Sequence, residues 1–188
     1  MNQLSITKEE INELPIYQFE GDIELIETEE HALEAINKLK NESVLGFDTE
    51  TRAAFKKGES YDICLIQLAT AEASYLFRIN KFELTKELVD LLADGKIIKA
   101  GVAISDDIKG IKKLIPFKES GFVELADLAR KQGIKNFGLR ALTAIFIRKR
   151  LSKKVKASNW ERDELSAAQI HYAAADAVVG YLLYQHMN

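Results

Sequence analysis

The stretch that most constrains the fold is Val44-Leu45-Gly46-Phe47, four residues without a polar side chain that run directly into Asp48-Thr49-Glu50. A short apolar run of this kind reads as a β-strand buried on both faces. The rest of the chain offers elements to cover it. Strands are expected at 23–26, 62–70, 74–78 and 97–101, with a brief extended piece at 122–124. Helical spacing covers 29–39, 84–93, a segment ending at Leu114, another ending near Lys131, and 138–147. Thr7-Lys8-Glu9-Glu10 and Ser166-Ala167-Ala168-Gln169 have the form of capping boxes. The first opens a short helix that stops before Pro15, and the second opens a long C-terminal helix. Three strands in succession, followed by strands alternating with helices, imply an α/β fold. The expected sheet is mixed and five-stranded, antiparallel at its start and parallel at its end, with helices on both faces.

The 188 residues suit one domain spanning 1–188, with 1–22 as an acidic N-terminal extension. The single cysteine, Cys64, lies in an apolar run and reads as a core residue, so no intramolecular disulfide is available. The start shows no basic stretch leading into an apolar one, and no run approaches the length of a membrane span. The cytoplasm is the expected location, with no membrane partner.

Net charge is −3, yet the charges are segregated. The first 34 residues carry ten acids and one lysine, whereas residues 128–160 carry ten Lys/Arg and no acid. The densest part holds Arg148, Lys149, Arg150, Lys153, Lys154 and Lys156. Such a cluster reads either as a phosphate-binding track or as a solvated loop.

Chemistry concentrates in three places. Asp48 and Glu50 close the apolar strand, and strand alternation puts both on one face. Two converging carboxylates repel unless a cation lies between them, and a divalent ion with oxygen ligands relieves that repulsion. In Ser105-Asp106-Asp107 the helical phase separates the two acids: Asp107 shares a stripe with Ile104, Ile111 and Leu114, and Asp106 faces outward. In the C-terminal helix Tyr172 and Asp176 are i, i+4 neighbours on the apolar side. His171 lies five positions before Asp176, about 140° around the helix, against about 40° for Tyr172, which favours the tyrosine as its partner. Each pair alone is also compatible with a capped helix or an emerging strand.

Their order and spacing carry a resemblance. Phe47-Asp48-Thr49-Glu50, Ala100-Gly101-Val102 with Asp107 six positions after Gly101, and Tyr172 four before Asp176 are similar to the DEDDy branch of the DEDD exonuclease superfamily. Within it the chain looks most like Werner-type exonuclease domains and, more distantly, ribonuclease D. Supporting matches are Leu65-Ile66-Gln67-Leu68, Phe122 to Asp127, and Ser158-Asn159-Trp160, so the resemblance runs from about residue 23 to 187. The segment after Glu50 lacks the tryptophan often found in Werner-type domains.

The resemblance implies a ribonuclease H-like fold and hydrolysis of nucleotides from the 3′ end of DNA or RNA. Asp48, Glu50, Asp107 and Asp176 would hold two divalent cations, Mg²⁺ or Mn²⁺, and Tyr172 would orient the attacking water. The expected partner is a nucleic acid with a free 3′ end, with Trp160 either stacking on a base or sitting in the core. Two rival readings stand beside this one: a catalytically silent nucleic-acid-binding module on the same fold, and a hydrolase of small phosphate esters. The basic segment disfavours the second, since a mononucleotide needs no long phosphate track.

Overall fold

The computed structural model describes residues 4–56, 58–152, 155 and 158–188. Lys153, Lys154 and Lys156, half of the expected basic track, lie outside the described residues. Six strands form one mixed sheet: β1 (Asp22–Ile26), β2 (Val44–Thr51), β3 (Ile63–Ala69), β4 (Ala73–Phe77), β5 (Ile98–Gly101) and β6 (Phe122–Glu124). Their order across the sheet is β1-β4-β3-β2-β5-β6.

One expectation for the sheet is corrected here, the number of strands. The sheet has six strands rather than five, because 122–124 pairs with β5 in register, Ala100 facing Val123 and Gly101 facing Glu124. A three-residue strand carries too little periodicity to stand out until its neighbour is in place. The antiparallel part is β2-β3-β4, while β1 joins the far edge parallel to β4. The opening strand is therefore separated from β2 by both members of the hairpin.

The helices are α1 (Lys8–Glu13), α2 (Glu29–Leu39), α3 (Lys86–Ala93), α4 (Ile104–Leu114), α5 (Leu125–Lys131), α6 (Leu139–Leu142) and α7 (Ala167–Met187). Both expected capping boxes are present, at Thr7 with Glu10 and at Ser166 with Gln169. Thr28 and Thr85 cap α2 and α3 in the same manner, each accepting from the backbone N–H three residues on. The expected helix 138–147 divides into α6 and a π-helical turn, Thr143–Ile147, which stops where Arg148 adopts a left-handed φ of 59°. None of the helices among the described residues is long and apolar enough to cross a membrane.

Alternation along β2 distributes its side chains to two cores. Leu45 and Phe47 join Ile36, Leu88, Leu91, Ile104 and Ile111 from α2, α3 and α4. The opposite face receives α7, whose Ala173 packs with Leu65 and Leu76, and whose Ala177 and Val178 pack with Ala69. The outer side of α7 is covered in turn by Leu125, Ala129 and Leu142, and by Ile6 and Ile11 of the N-terminal segment. A helix enclosed on both sides has no solvated stripe, which explains why α7 is apolar almost all round.

Gly46 sets how closely α7 approaches β2. A Cβ built there would lie 1.8 Å from the Ala177 carbonyl oxygen and 2.7 Å from the Tyr181 nitrogen. Only a residue without a side chain permits that contact.

Candidate metal centre

Strand β2 continues past the apolar run to Thr51, so Asp48 and Glu50 stay within the sheet instead of emerging from it. The same face that brings Gly46 against α7 carries both carboxylates beneath that helix. There they meet Asp176: carboxylate oxygens of Asp48, Glu50 and Asp176 all lie within 4.8 Å of one another. Asp176 is buried, and Asp48 and Glu50 are half-buried. Three acids held this close in a partly dry site favour a cation among them, and an all-oxygen set suits hard divalent ions such as Mg²⁺ or Mn²⁺. The donor set therefore fits the expected metal.

Asp107 enters from the other side. Asp106 is exposed and pairs with Lys109, 2.8 Å away, whereas Asp107 is half-buried. The hydroxyl of Thr49, which points to the face opposite Asp48 and Glu50, donates a hydrogen bond to the Asp107 carboxylate. Burial raises the carboxyl of Asp107 above its usual range, with that hydrogen bond opposing the rise. Of the four expected metal ligands, Asp107 is not among the three carboxylates gathered within 4.8 Å, and it lines a separate cleft with Thr49 and Glu50.

Two hydrogen bonds from its end position α4. Glu124, the last residue of β6, accepts from the backbone N–H groups of Ala103 and Ile104 at 3.0 Å each. Ala103 itself sits at φ 63°, so the chain turns sharply from β5 into α4 with Glu124 taking the place of an ordinary cap. The sixth strand is thereby tied to the placement of Asp107.

Tyr172 is half-buried and hydrogen-bonds to Asp176 one turn further along α7. Burial first, then the charges of Asp176, Glu50 and Asp48, push its phenol well above the usual value. Its ring packs on Trp160, with centroids 6.1 Å apart. Trp160 is only 1% exposed, so of its two expected roles the core one is realised, and base stacking is corrected. The indole is covered because Arg78, also 1% exposed, reaches across from β4 to the carbonyls of Arg162 and Asp163 and draws that connector onto the sheet. His171 is exposed on α7 and lines a cleft of about 440 Å³ with Tyr17 and Phe19, to whose wall Tyr172 and Asp176 also contribute.

Asp48, Glu50, Asp176 and Tyr172 open into a cleft of about 550 Å³. Two cations that the sequence did not single out also line it. Arg140, at the start of α6, donates through Nε to the Leu151 carbonyl at 3.2 Å. Burial, then the proximity of Arg150, lowers its pKa, while Tyr172 acts in the opposite direction. Lys8 of α1 lies on the same wall, brought there by the packing of Ile6 and Ile11. Of the basic cluster, Arg148 and Lys149 are exposed, while Arg150 is drawn to the N-terminal segment. Its Nε donates to the Leu14 carbonyl at 2.8 Å, and its backbone pairs with Pro15 and Tyr17.

The comparisons with known proteins agree with this geometry. The profile of a family described as 3′-5′ exonuclease matches residues 23–188. A bifunctional 3′-5′ exonuclease/ATP-dependent helicase of Mus musculus is 32% identical over 157 residues, covering 80% of this chain and 11% of that protein. The chain spans less than two thirds of the other curated relatives it matches as well. Among solved structures, the Nibbler EXO domain of Aedes aegypti superposes with a TM-score of 0.82 at 23% identity, over 91% of this chain and 90% of that one. Trypanosoma brucei RNase D, in complex with RNA U12, superposes with a TM-score of 0.79 at 18% identity, over 90% of this chain and 63% of that one. With the carboxylates and Tyr172 gathered at the sheet and a family match over nearly the whole chain, the chain belongs to the 3′-5′ exonuclease family.

Proposed function

We propose that this chain removes nucleotides one at a time from the 3′ end of a polynucleotide, by hydrolysis supported by two divalent cations. The observation that carries the reading is the convergence of Asp48, Glu50 and Asp176 in a cleft shared with Tyr172 and Arg140. Asp48, Glu50 and Asp176, with Asp107 beside them, would hold the ions. When bound, Mg²⁺ or Mn²⁺ would make water nucleophilic at neutral pH and take up charge on the scissile phosphate.

The side chains would divide the remaining work. Tyr172, held protonated, has one O–H to give: with Asp176 taken up by a cation, it would turn from that carboxylate to the attacking water and orient it; it is not a base. Arg140 is fixed by the Leu151 carbonyl and offers its guanidinium to the phosphate. Water attacks phosphorus, the bond to the 3′ oxygen of the preceding nucleotide breaks, and that oxygen takes a proton. The products are a nucleoside 5′-monophosphate and a strand shortened by one residue. Lys8 would add positive charge at the cleft wall, which gives the acidic N-terminal segment a part in substrate binding. Its shared core with α7 supports reading it as part of the same domain.

DNA and RNA are both candidate polymers. One structural neighbour is in complex with RNA, and the mouse relative joins its exonuclease to a helicase. The test is digestion of 5′-labelled single- and double-stranded DNA and RNA with Mg²⁺ or Mn²⁺, alongside EDTA and Asp48→Ala. The expected result is a ladder shortening from the 3′ end on at least one polymer, absent in both controls. Binding of the strands without shortening would support the silent binding module instead.

A further inference from the structure

Gln67 of β3 is fully enclosed, and neither its amide nitrogen nor its carbonyl oxygen has a hydrogen-bond partner among the described residues. Ser74 of β4 is also fully enclosed, and its hydroxyl is in the same condition. A buried polar atom left unpaired costs about 1–3 kcal/mol. Around these two side chains the layer under α7 is apolar, made of Leu65, Ala69 and Leu76. Three such atoms in one small region call for a polar partner within reach.

The strand register supplies one. Gln67 stands directly opposite Asp48 in the antiparallel β2–β3 pair. Directly opposed residues share a face, with Cβ atoms about 4.5–5.5 Å apart. On the other side Gln67 faces Leu76 and Ala69 faces Ser74, so Ser74 is its diagonal neighbour on that same face. Diagonal positions are about 7–8 Å apart, within range of a long side chain. Ser74, Gln67 and Asp48 therefore form a row across three strands beneath α7, and the row ends at the acidic cluster.

We propose that Gln67 is a positioning residue for Asp48. Its amide donates to the Asp48 carboxylate when cations are held, and its carbonyl accepts from the Ser74 hydroxyl. The direction follows from the donor inventory. An ionised carboxylate only accepts, so it takes the N–H, and the carbonyl is left for the serine O–H. This inference rests on the metal-centre reading above. Partners of this kind fix the orientation of a ligating group, and their loss typically weakens metal affinity or activity about 10–100-fold.

The experiment compares wild type, Gln67→Met, Ser74→Ala and Asp48→Asn as full chains, measuring Mn²⁺ affinity by titration calorimetry together with thermal melting. Gln67→Met keeps the length of the side chain and removes both polar ends. It should melt at or above the wild-type temperature yet bind Mn²⁺ about tenfold or more weakly. Ser74→Ala should weaken Mn²⁺ binding in the same direction by a smaller factor. Should Gln67→Met not fold, Ser74→Ala decides on the same criterion. Mn²⁺ affinity within twofold of wild type in the folded variants, while Asp48→Asn has lost it, overturns the positioning role alone. Unchanged affinity in Asp48→Asn overturns the metal centre and the positioning role together.

Discussion

Thr49 donates its hydroxyl to Asp107 from the side of β2 that faces away from Asp48 and Glu50. The acids therefore reach the end of this strand from both faces of the sheet: Asp176 descends from α7 on one side, and Asp107 is held by α4 on the other. Thr49 is the link between the two halves. Replacing it by valine keeps the shape and removes the donor.

With that donor gone, nothing from Thr49 opposes the effect of burial on Asp107, whose carboxyl already lies above its usual range. A group that must be ionised to hold a cation then loses its proton only at higher pH. The acid limb of the pH–rate profile of Thr49→Val should move to higher pH, with a stability loss of about 1 kcal/mol. An acid limb at the wild-type position would show that Asp107 does not govern it.

Tyr172→Phe removes a donor but keeps the ring that packs on Trp160. We expect kcat to fall about 10²-fold, as for loss of a preorganised donor in other active sites, while the melting temperature changes little. His171→Ala, at an exposed position, should leave kcat as it is. Because burial and the neighbouring carboxylates keep the phenol protonated far beyond the usual tyrosine range, activity should also show no loss between pH 9 and roughly 10 that depends on Tyr172. The opposite ranking of the two variants would assign the role to the histidine.

Lys99 offers a test of the fold that is independent of catalysis. It is fully buried, donates to the carbonyls of Asp94 at 2.7 Å and Ile97 at 2.8 Å, and burial lowers its pKa to about 8. The folded value lies below the ordinary 10.5, so between these two pH values the folded chain binds fewer protons than the unfolded one. Stability contributed by this residue therefore rises with pH across that window and is flat below it. The difference in unfolding free energy between wild type and Lys99→Met should shift in favour of wild type by about 3 kcal/mol from pH 7.5 to 10.5. A difference that does not change with pH would mean that the ammonium is not desolvated.

Gly46→Ala tests the contact that brings Asp176 to Asp48. The added methyl meets backbone atoms of α7, which have no rotamer to give, so the helix must shift. We expect a loss of about 1–3 kcal/mol, the usual cost of overpacking, accompanied by weaker Mn²⁺ binding. Melting unchanged, with full Mn²⁺ affinity, would contradict the close approach.

Local phase made part of this site readable in the sequence. Asp107 was separable from Asp106, and Tyr172 from His171, because a helix repeats every 3.6 residues and only one member of each pair faces inward. Asp48 and Glu50 shared a face for the equivalent reason in a strand. What phase could not provide was contact across distance. Lys8 and Arg140 are unremarkable surface cations until the packing of Ile6 and Ile11 and the bond to Leu151 bring them to the cleft. Glu124 looked like part of an extended piece, and its role at the start of α4 exists only once β6 pairs with β5. Trp160, a lone tryptophan of the kind more often found in a core than stacked on a base, is buried, and Arg78 holds the connector over it from more than 80 residues away.

The central claim is that one set of carboxylates both holds the cations and supports the chemistry. The direct test follows Mn²⁺ binding by calorimetry and release of a labelled 3′-terminal nucleotide in the same preparations of wild type, Asp48→Asn and Asp176→Asn. The account predicts that each variant loses Mn²⁺ affinity and nucleotide release together, while keeping the fold. Release at the wild-type rate, or full Mn²⁺ affinity, in either variant would contradict it.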